Sequence, residues 1–125
     1  MIKLMSFKVI IAGGRDFNDY KALKEYMNNY LEKYIKLKYR IFIVSGRAKG
    51  ADSLGEKYAK EHGFGLILKP ANWDKYGKRA GYLRNSEMAD IANACVAFWD
   101  GKSRGTKHMI DLAKKKQIFL RVVRY

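Results

Sequence analysis

Apolar and polar residues follow two alternating rhythms along this chain. Short, nearly continuous apolar runs at 7–12 (FKVIIA), 39–45 (YRIFIVS), 64–68 (FGLIL), 94–99 (ACVAFW) and 118–123 (IFLRVV) predict five strands. The segments between them repeat at helical spacing. From Tyr20 to about Leu37 the apolar positions are Leu23, Met27, Tyr30, Leu31 and Tyr34, with Asp19 placed to cap the helix. A second helix runs to about Glu61 with Leu54, Tyr58 and Ala59 inward, and His62-Gly63 supplies its stop. Leu83, Met88 and Ile91 mark a third helix over about 82–92, and Met109, Ile110, Leu112 and Ala113 a fourth from about Thr106 to Lys116. The stretch 69–81, KPANWDKYGKRAG, carries no periodicity and is expected to be irregular.

Strand alternates with helix throughout, and apolar strands suit a sheet covered on both faces. The expectation is a single Rossmann-like α/β domain over 1–125, three layers deep, with a five-stranded parallel sheet in the order 3-2-1-4-5. In such a sheet every strand-to-helix loop emerges at the carboxyl edge. Loops 13–19, 45–52, 69–81 and 100–106 then share one rim, and the strand order reverses between strands 1 and 4. Ligands bind such sheets at that reversal, so GGRDF and DGKSRGT are expected to flank a crevice.

Composition narrows the partners. The chain has 125 residues, 26 Lys and Arg against 12 acids, and a net charge of +14. That favours anionic partners, although the charge is spread over both halves and no polybasic tail exists. Single Cys95 lies in an apolar run and reads as a core residue; with His62 and His108 alone beside it, no metal site is expected. The N-terminal run MIKLMSFKVIIAGG is interrupted by Lys8 and reads as a leading strand rather than a signal peptide. No segment is long enough to span a membrane, so a cytoplasmic protein is expected.

The glycines have a common physical reading. Gly13, Gly14, Gly46, Gly50, Gly101 and Gly105 lie where strands end or helices begin. There they serve ordinary turns, or they admit a ligand close to the unpaired N–H groups of a helix start. Ser103 and Thr106 add hydroxyls, and Arg15, Arg47, Lys49, Lys102 and Arg104 add charge. No loop fits G-x-x-x-x-G-K-[ST] or G-x-G-x-x-G, so neither a P-loop nor a dinucleotide cofactor is expected, and no cofactor is called for.

Four stretches together, IAGGRDF at 11–17, VSGRAKGADSLGEKYAKEHG at 44–63, PANWDKYGKRAGYLRNSEMA at 70–89 and FWDGKSRGTKHMIDLA at 98–113, make the chain resemble the SLOG superfamily of DprA-like and Lonely Guy proteins. The nearest likeness is to its small YspA/YpsA-related bacterial and phage branch. The resemblance implies a nucleotide-derived ligand at the rim, held by Gly13, Gly14 and Arg15, by Ser45, Gly46, Gly50 and Asp52, by Arg84 and Asn85, and by Gly101, Gly105 and Thr106; Asp16, Ser103 and Arg104 stand on the same loops and are read as ligand contacts from their polarity. Where relatives have Gly-Gly after the serine, Arg47 follows Gly46, so Arg47 is expected to contact phosphate or narrow the pocket. The Lonely Guy pattern Arg-x-x-x-Met is matched by Arg84 and Met88. Its Gly-Thr-x-x-Glu is not: Met109 stands where the glutamate assists glycosidic cleavage, and a thioether is no base.

Binding without catalysis is therefore the first expectation. N-glycosidic cleavage with Asp16, Asp52 or Glu87 as the acid is the alternative, and a nucleic-acid module is the third. Each acid also has a plainer role: turn or cap for Asp16, helix-dipole partner for Asp52, solvated helix face for Glu87. Trp73, Tyr76 and Trp99 suit base stacking or simply cover the sheet end. His108 is a surface side chain or a phosphate contact. Homodimerisation is consistent with the resemblance, and Tyr20, Tyr26, Tyr30 and Tyr34 of the first helix suit core and interface alike.

Overall fold

In the computed structural model, described for residues 5–125, the apolar runs become β1 (Ser6–Gly13), β2 (Arg40–Ser45), β3 (Gly65–Leu68), β4 (Ala94–Trp99) and β5 (Phe119–Arg124). The first four residues of the N-terminal run lie outside the described part. All pairings are parallel and the order is β3-β2-β1-β4-β5. The sheet is the expected one, with its reversal between β1 and β4.

Helices α1 (Tyr20–Lys36) and α2 (Ala51–His62) cover one face, and α4 (Ala80–Ile91) and α5 (Arg104–Lys115) the other. Side chains on a strand alternate, so each face of β1 feeds a separate core. Val9 and Ile11 pack with Leu23, Met27, Leu31, Tyr58 and Ala59 on the α1/α2 side. Ile10 and Ala12 pack with Met88, Ala89, Cys95, Met109 and Ile110 on the α4/α5 side. Burial of such side chains is worth roughly 1.5–3 kcal/mol each. Cys95 is a core residue whose thiol is pushed up to about 12 by burial.

Local signals explain the helix ends. The Asp19 side chain accepts from the Ala22 N–H at 3.0 Å and starts α1. Gly63, at φ +69°, ends α2. Helix α5 starts at Arg104, two residues earlier than its periodicity suggests, because Ser103 caps it by accepting from the Thr106 N–H.

Three expectations need correction. Both edge strands are less covered than their apolar runs suggest: no residue of β3 or β5 is fully buried, although Leu66 and Val123 pack against one core and Ile67 and Leu120 against the other. Stretch 69–81 is not irregular: it contains the short helix α3 (Trp73–Tyr76), capped by Asn72, and a 3-10 turn, Gly77–Arg79, that leads directly into α4. Leu83 faces solvent rather than the core. On α1, Tyr26, Tyr30 and Tyr34 are half-buried and pack against the first core, while the Tyr20 hydroxyl donates to Glu61 at 2.5 Å. Among the described residues no helix is long and apolar enough to cross a membrane.

Candidate functional site

The β1-to-α1 turn is joined to its neighbours by main-chain hydrogen bonds. The Gly14 N–H donates to the Phe98 carbonyl of β4, and the Gly14 carbonyl accepts from Phe17 and from Ala51, each at 3.2 Å. The first N–H of α2 is thus already used. Gly50, which caps α2 at φ +78°, passes so close to the Gly14 and Arg15 backbone that a side chain has no room.

Between this turn and the α4/α5 layer lies a cleft of about 460 Å³, at the carboxyl edge and at the strand reversal. Ala12, Met88 and Met109 give it an apolar floor, and Gly13, Gly14, Arg15 and Asp16 form one wall. Ala48 and Asp52, then Arg84 and Asn85, form the next two, and Asp100, Ser103, Gly105 and Thr106 close it. The start of α5 opens here. Its positive dipole end faces the cleft; Ser103 takes the Thr106 N–H, which leaves the N–H groups of Arg104 and Gly105 as the first-turn donors without an intrahelical partner.

Arg84 is the fixed cation of the cleft. Its Nη1 donates to the Gly46 carbonyl at 2.7 Å and its Nε to Asn85 Oδ1 at 3.3 Å. Asn85 is buried on the inward side of α4. Its amide donates to the Gly105 carbonyl at 3.3 Å and lies 3.1 Å from His108 Nδ1, so it ties α4 to the start of α5. Burial holds His108 below the ordinary histidine range.

Three carboxylates face the same space in different states. Asp52, only 7 % exposed, accepts from the Ala48 N–H at 3.2 Å. Burial pushes it up to about 6, although the Ala48 N–H and the Arg84 charge pull the other way. Asp100 accepts from the Lys102 and Ser103 N–H groups, both at 2.8 Å, which hold it below the usual carboxylate range. Asp16 accepts from the Tyr125 hydroxyl at 2.7 Å, and Tyr125 packs edge-on against Phe17.

The cleft thus gathers Gly13, Gly14, Arg15, Asp16, Asp52, Arg84, Asn85, Ser103, Gly105 and Thr106. The other candidates lie outside its lining. Ser45 is turned inward, its hydroxyl donating to Glu56 at 2.7 Å and accepting from the Arg47 N–H at 3.1 Å. Gly46 stays behind Arg84, where a Cβ would sit 2.6 Å from Arg84 Cδ. Gly101 turns against Arg124, and Arg104 is exposed on α5.

Arg47 neither enters nor narrows the cleft. At φ +64° it holds the left-handed conformation that glycine supplies easily, and that conformation sends its side chain to Glu56, with Nε 3.6 Å from Oε2. Glu87 is exposed on α4. Trp73 and Tyr76 are exposed on α3, and Trp99 is held by donating to the Ser103 carbonyl at 3.1 Å with Arg124 over its ring. None of these three rings lines the cleft.

Sequence reasoning assigned no role to Asp100, Tyr125 or Glu56. Only Asp100 carried a signal, an aspartate opening a glycine turn.

The comparisons with known proteins agree with this architecture. The model of the YAcAr family, described as the YspA, cpYpsA-related SLOG family, matches residues 7–76. The Gene 61 protein of Mycobacterium phage D29 is 34% identical over 117 residues, which cover 89% of this chain and 91% of that protein. DNA processing protein A (DprA) from Streptococcus pneumoniae superposes with a TM-score of 0.71 at 14% identity over 94% of this chain. The same protein from Helicobacter pylori gives 0.60 at 20% identity, again over 94%. The chain spans 50% and 65% of the lengths of those two structures, and the likeness is one of fold. On the family match over residues 7–76, more than half of the chain, and on the phage relative aligned nearly end to end, this chain belongs to the YspA, cpYpsA-related SLOG family.

Proposed function

We propose that the cleft binds a nucleotide or nucleotide-derived small molecule through its phosphate and ribose groups, and that the protein acts as a sensor, carrier or sequestering protein. One observation carries this reading. The open start of α5 and the anchored Arg84 guanidinium face one cleft at the strand reversal, over an apolar floor. The helix start suits a phosphate, Arg84 a second anionic oxygen, and Ala12, Met88 and Met109 a flat, weakly polar group. Asp52 and Asp16 are acceptors for hydroxyls at the wall.

Native mass spectrometry of the purified protein, and calorimetry with AMP, ADP and ADP-ribose, test this. Micromolar binding of at least one supports it, and no heat and no retained ligand across the panel sinks it.

One observation favours a second reading, N-glycosidic cleavage. Asp52 lines the cleft with a carboxyl near 6, suited to proton exchange close to neutral pH. Asp16 is occupied by Tyr125 and Glu87 faces solvent, so Asp52 is the acid to test. Base release from AMP that disappears in Asp52→Asn promotes catalysis, and unchanged AMP after prolonged incubation dismisses it. The third reading, nucleic acid, draws on the charge of +14 and on the likeness to the Helicobacter pylori protein, whose structure is described for its single-stranded DNA binding mode.

A further inference from the structure

Residues Trp73–Arg79 contribute no buried side chain to the fold. A segment that adds nothing to either core and yet carries the half-exposed rings of Trp73 and Tyr76 is not explained by core stability. Trp73 is 48% exposed, and Tyr82 follows at 47%. Around these rings the charge is lopsided. Residues 69–84 hold five Lys and Arg and one acid, Asp74. Among the described residues, no ion pair engages Lys75, Lys78 or Arg79.

Trp73 and Tyr82 neighbour residues of the cleft wall without lining the cleft. The Trp73 ring and the Arg84 guanidinium border the same side of Gly81: a Cβ there would lie 3.3 Å from Trp73 Cη2 and 3.6 Å from Arg84 Nη2. Tyr82 stands edge-on to His108, ring centroids 4.5 Å apart, and His108 contacts Asn85 of the cleft wall. Lys75 Nζ stands 5.1 Å from the centre of the Tyr76 ring, and Lys78 and Arg79 have no ion-pair partner among the described residues. Aromatic rings interleaved with cations, next to a phosphate-sized recess, match the chemistry of an unpaired nucleotide strand. An acidic peptide would satisfy the cations and leave the rings without flat partners.

We propose that this excursion and the cleft form one track for single-stranded nucleic acid: bases stack on Trp73, Tyr76 and Tyr82, phosphates meet Lys75, Lys78 and Arg79, and a terminal phosphate enters the cleft. The cleft end of the track rests on the function proposed above; the excursion does not.

Fluorescence anisotropy with 5′-phosphorylated oligo-dT and oligo-U of about 12 nucleotides, within the usual site sizes, reads the track. Trp73→Ala/Tyr76→Ala is expected to weaken strand binding roughly tenfold to hundredfold, as loss of one or two stacked bases does. Lys78→Ala/Arg79→Ala is expected to lower the slope of log affinity against log salt by about 1.4, two phosphates' worth on a single strand. Both variants should keep the wild-type melting temperature and AMP affinity, and a duplex of equal length should bind more weakly because its bases are hidden.

Unchanged strand affinity in Trp73→Ala/Tyr76→Ala, or equal affinity for duplex, overturns the track and leaves the cleft reading untouched. Binding to phosphatidylserine vesicles with no oligonucleotide binding at low salt overturns it as well. Strand binding that needs the excursion, in a protein that ignores every mononucleotide, keeps the stacking surface and overturns its cleft end.

Discussion

Gly105 separates folding from binding. It is the second residue of α5, is exposed, lines the cleft, and has open space where a Cβ would stand. Replacing glycine in a helix by a residue with a Cβ gains roughly 0.5–1 kcal/mol of stability, less in a first turn. An acid in that turn gains a further 0.3–1 kcal/mol, about, from the helix dipole. Gly105→Asp should therefore stabilise the chain by about 0.5–1.5 kcal/mol, read from urea unfolding.

The same carboxylate opposes an anion at the helix start. At about 5 Å and an effective dielectric near 20 the repulsion is on the order of 3 kcal/mol, and salt reduces it to roughly 1–2 kcal/mol. Calorimetry with AMP should thus show affinity falling about fivefold to thirtyfold. Gly105→Ala supplies the Cβ without the charge and should keep affinity within about twofold. Wild-type affinity in Gly105→Asp would refute the placement of phosphate at α5, and loss of stability in both variants would refute the open space beside Gly105.

Asp52→Asn tests the buried carboxyl. Its folded-state value is raised to about 6 from 3.8, so between those values the folded chain holds a proton that the unfolded chain has released. Ionised Asp52 therefore costs on the order of 2–3 kcal/mol above that window and nothing below it. The variant should be more stable than wild type at pH 7.5 and nearly equal at pH 4 in urea titrations; an equal difference at both would discount the burial. Arg47→Gly relieves a left-handed residue worth roughly 1 kcal/mol and loses an ion pair that is half exposed at Arg47, while the largely buried Glu56 keeps the Ser45 hydroxyl as a donor, so the urea midpoint should hold or rise; a clear fall would mean the Glu56 contact outweighs the backbone term. Gly13→Ala puts a Cβ 2.7 Å from Ala51 Cβ and against the Phe98 carbonyl, and should cost about 1–3 kcal/mol; a neutral result would show that the turn gives way.

The periodicities that predicted strands and helices are local, and they placed the β1–β4 reversal and its two facing turns correctly. What stayed illegible was where side chains go once the turns form. Ser45 and Arg47 read as rim residues because they stand beside a glycine, yet both reach Glu56 on the next helix, Ser45 from the buried end of β2 and Arg47 from a left-handed turn. Tyr125 reaches Asp16 across 109 positions, a distance no periodicity spans. Stretch 69–81 lacks an apolar repeat because nothing in α3 is buried, so its helix rests on the Asn72 cap alone. Asn85 is a buried strut inside α4 as well as part of the cleft wall, a role hidden because a polar residue interrupts the apolar stripe.

The peptide of Gly14 fastens β4 with its N–H and α2 with its carbonyl, so the rim takes its shape from main-chain atoms. Its positive charge comes from the side chains of Arg15 and Arg84, which take no part in that fastening. Shape and charge can therefore drift apart over generations: substitutions there retune which anion is preferred while the recess keeps its form. A scaffold of this kind can change the chemistry of its recess without first having to learn a new way to fold.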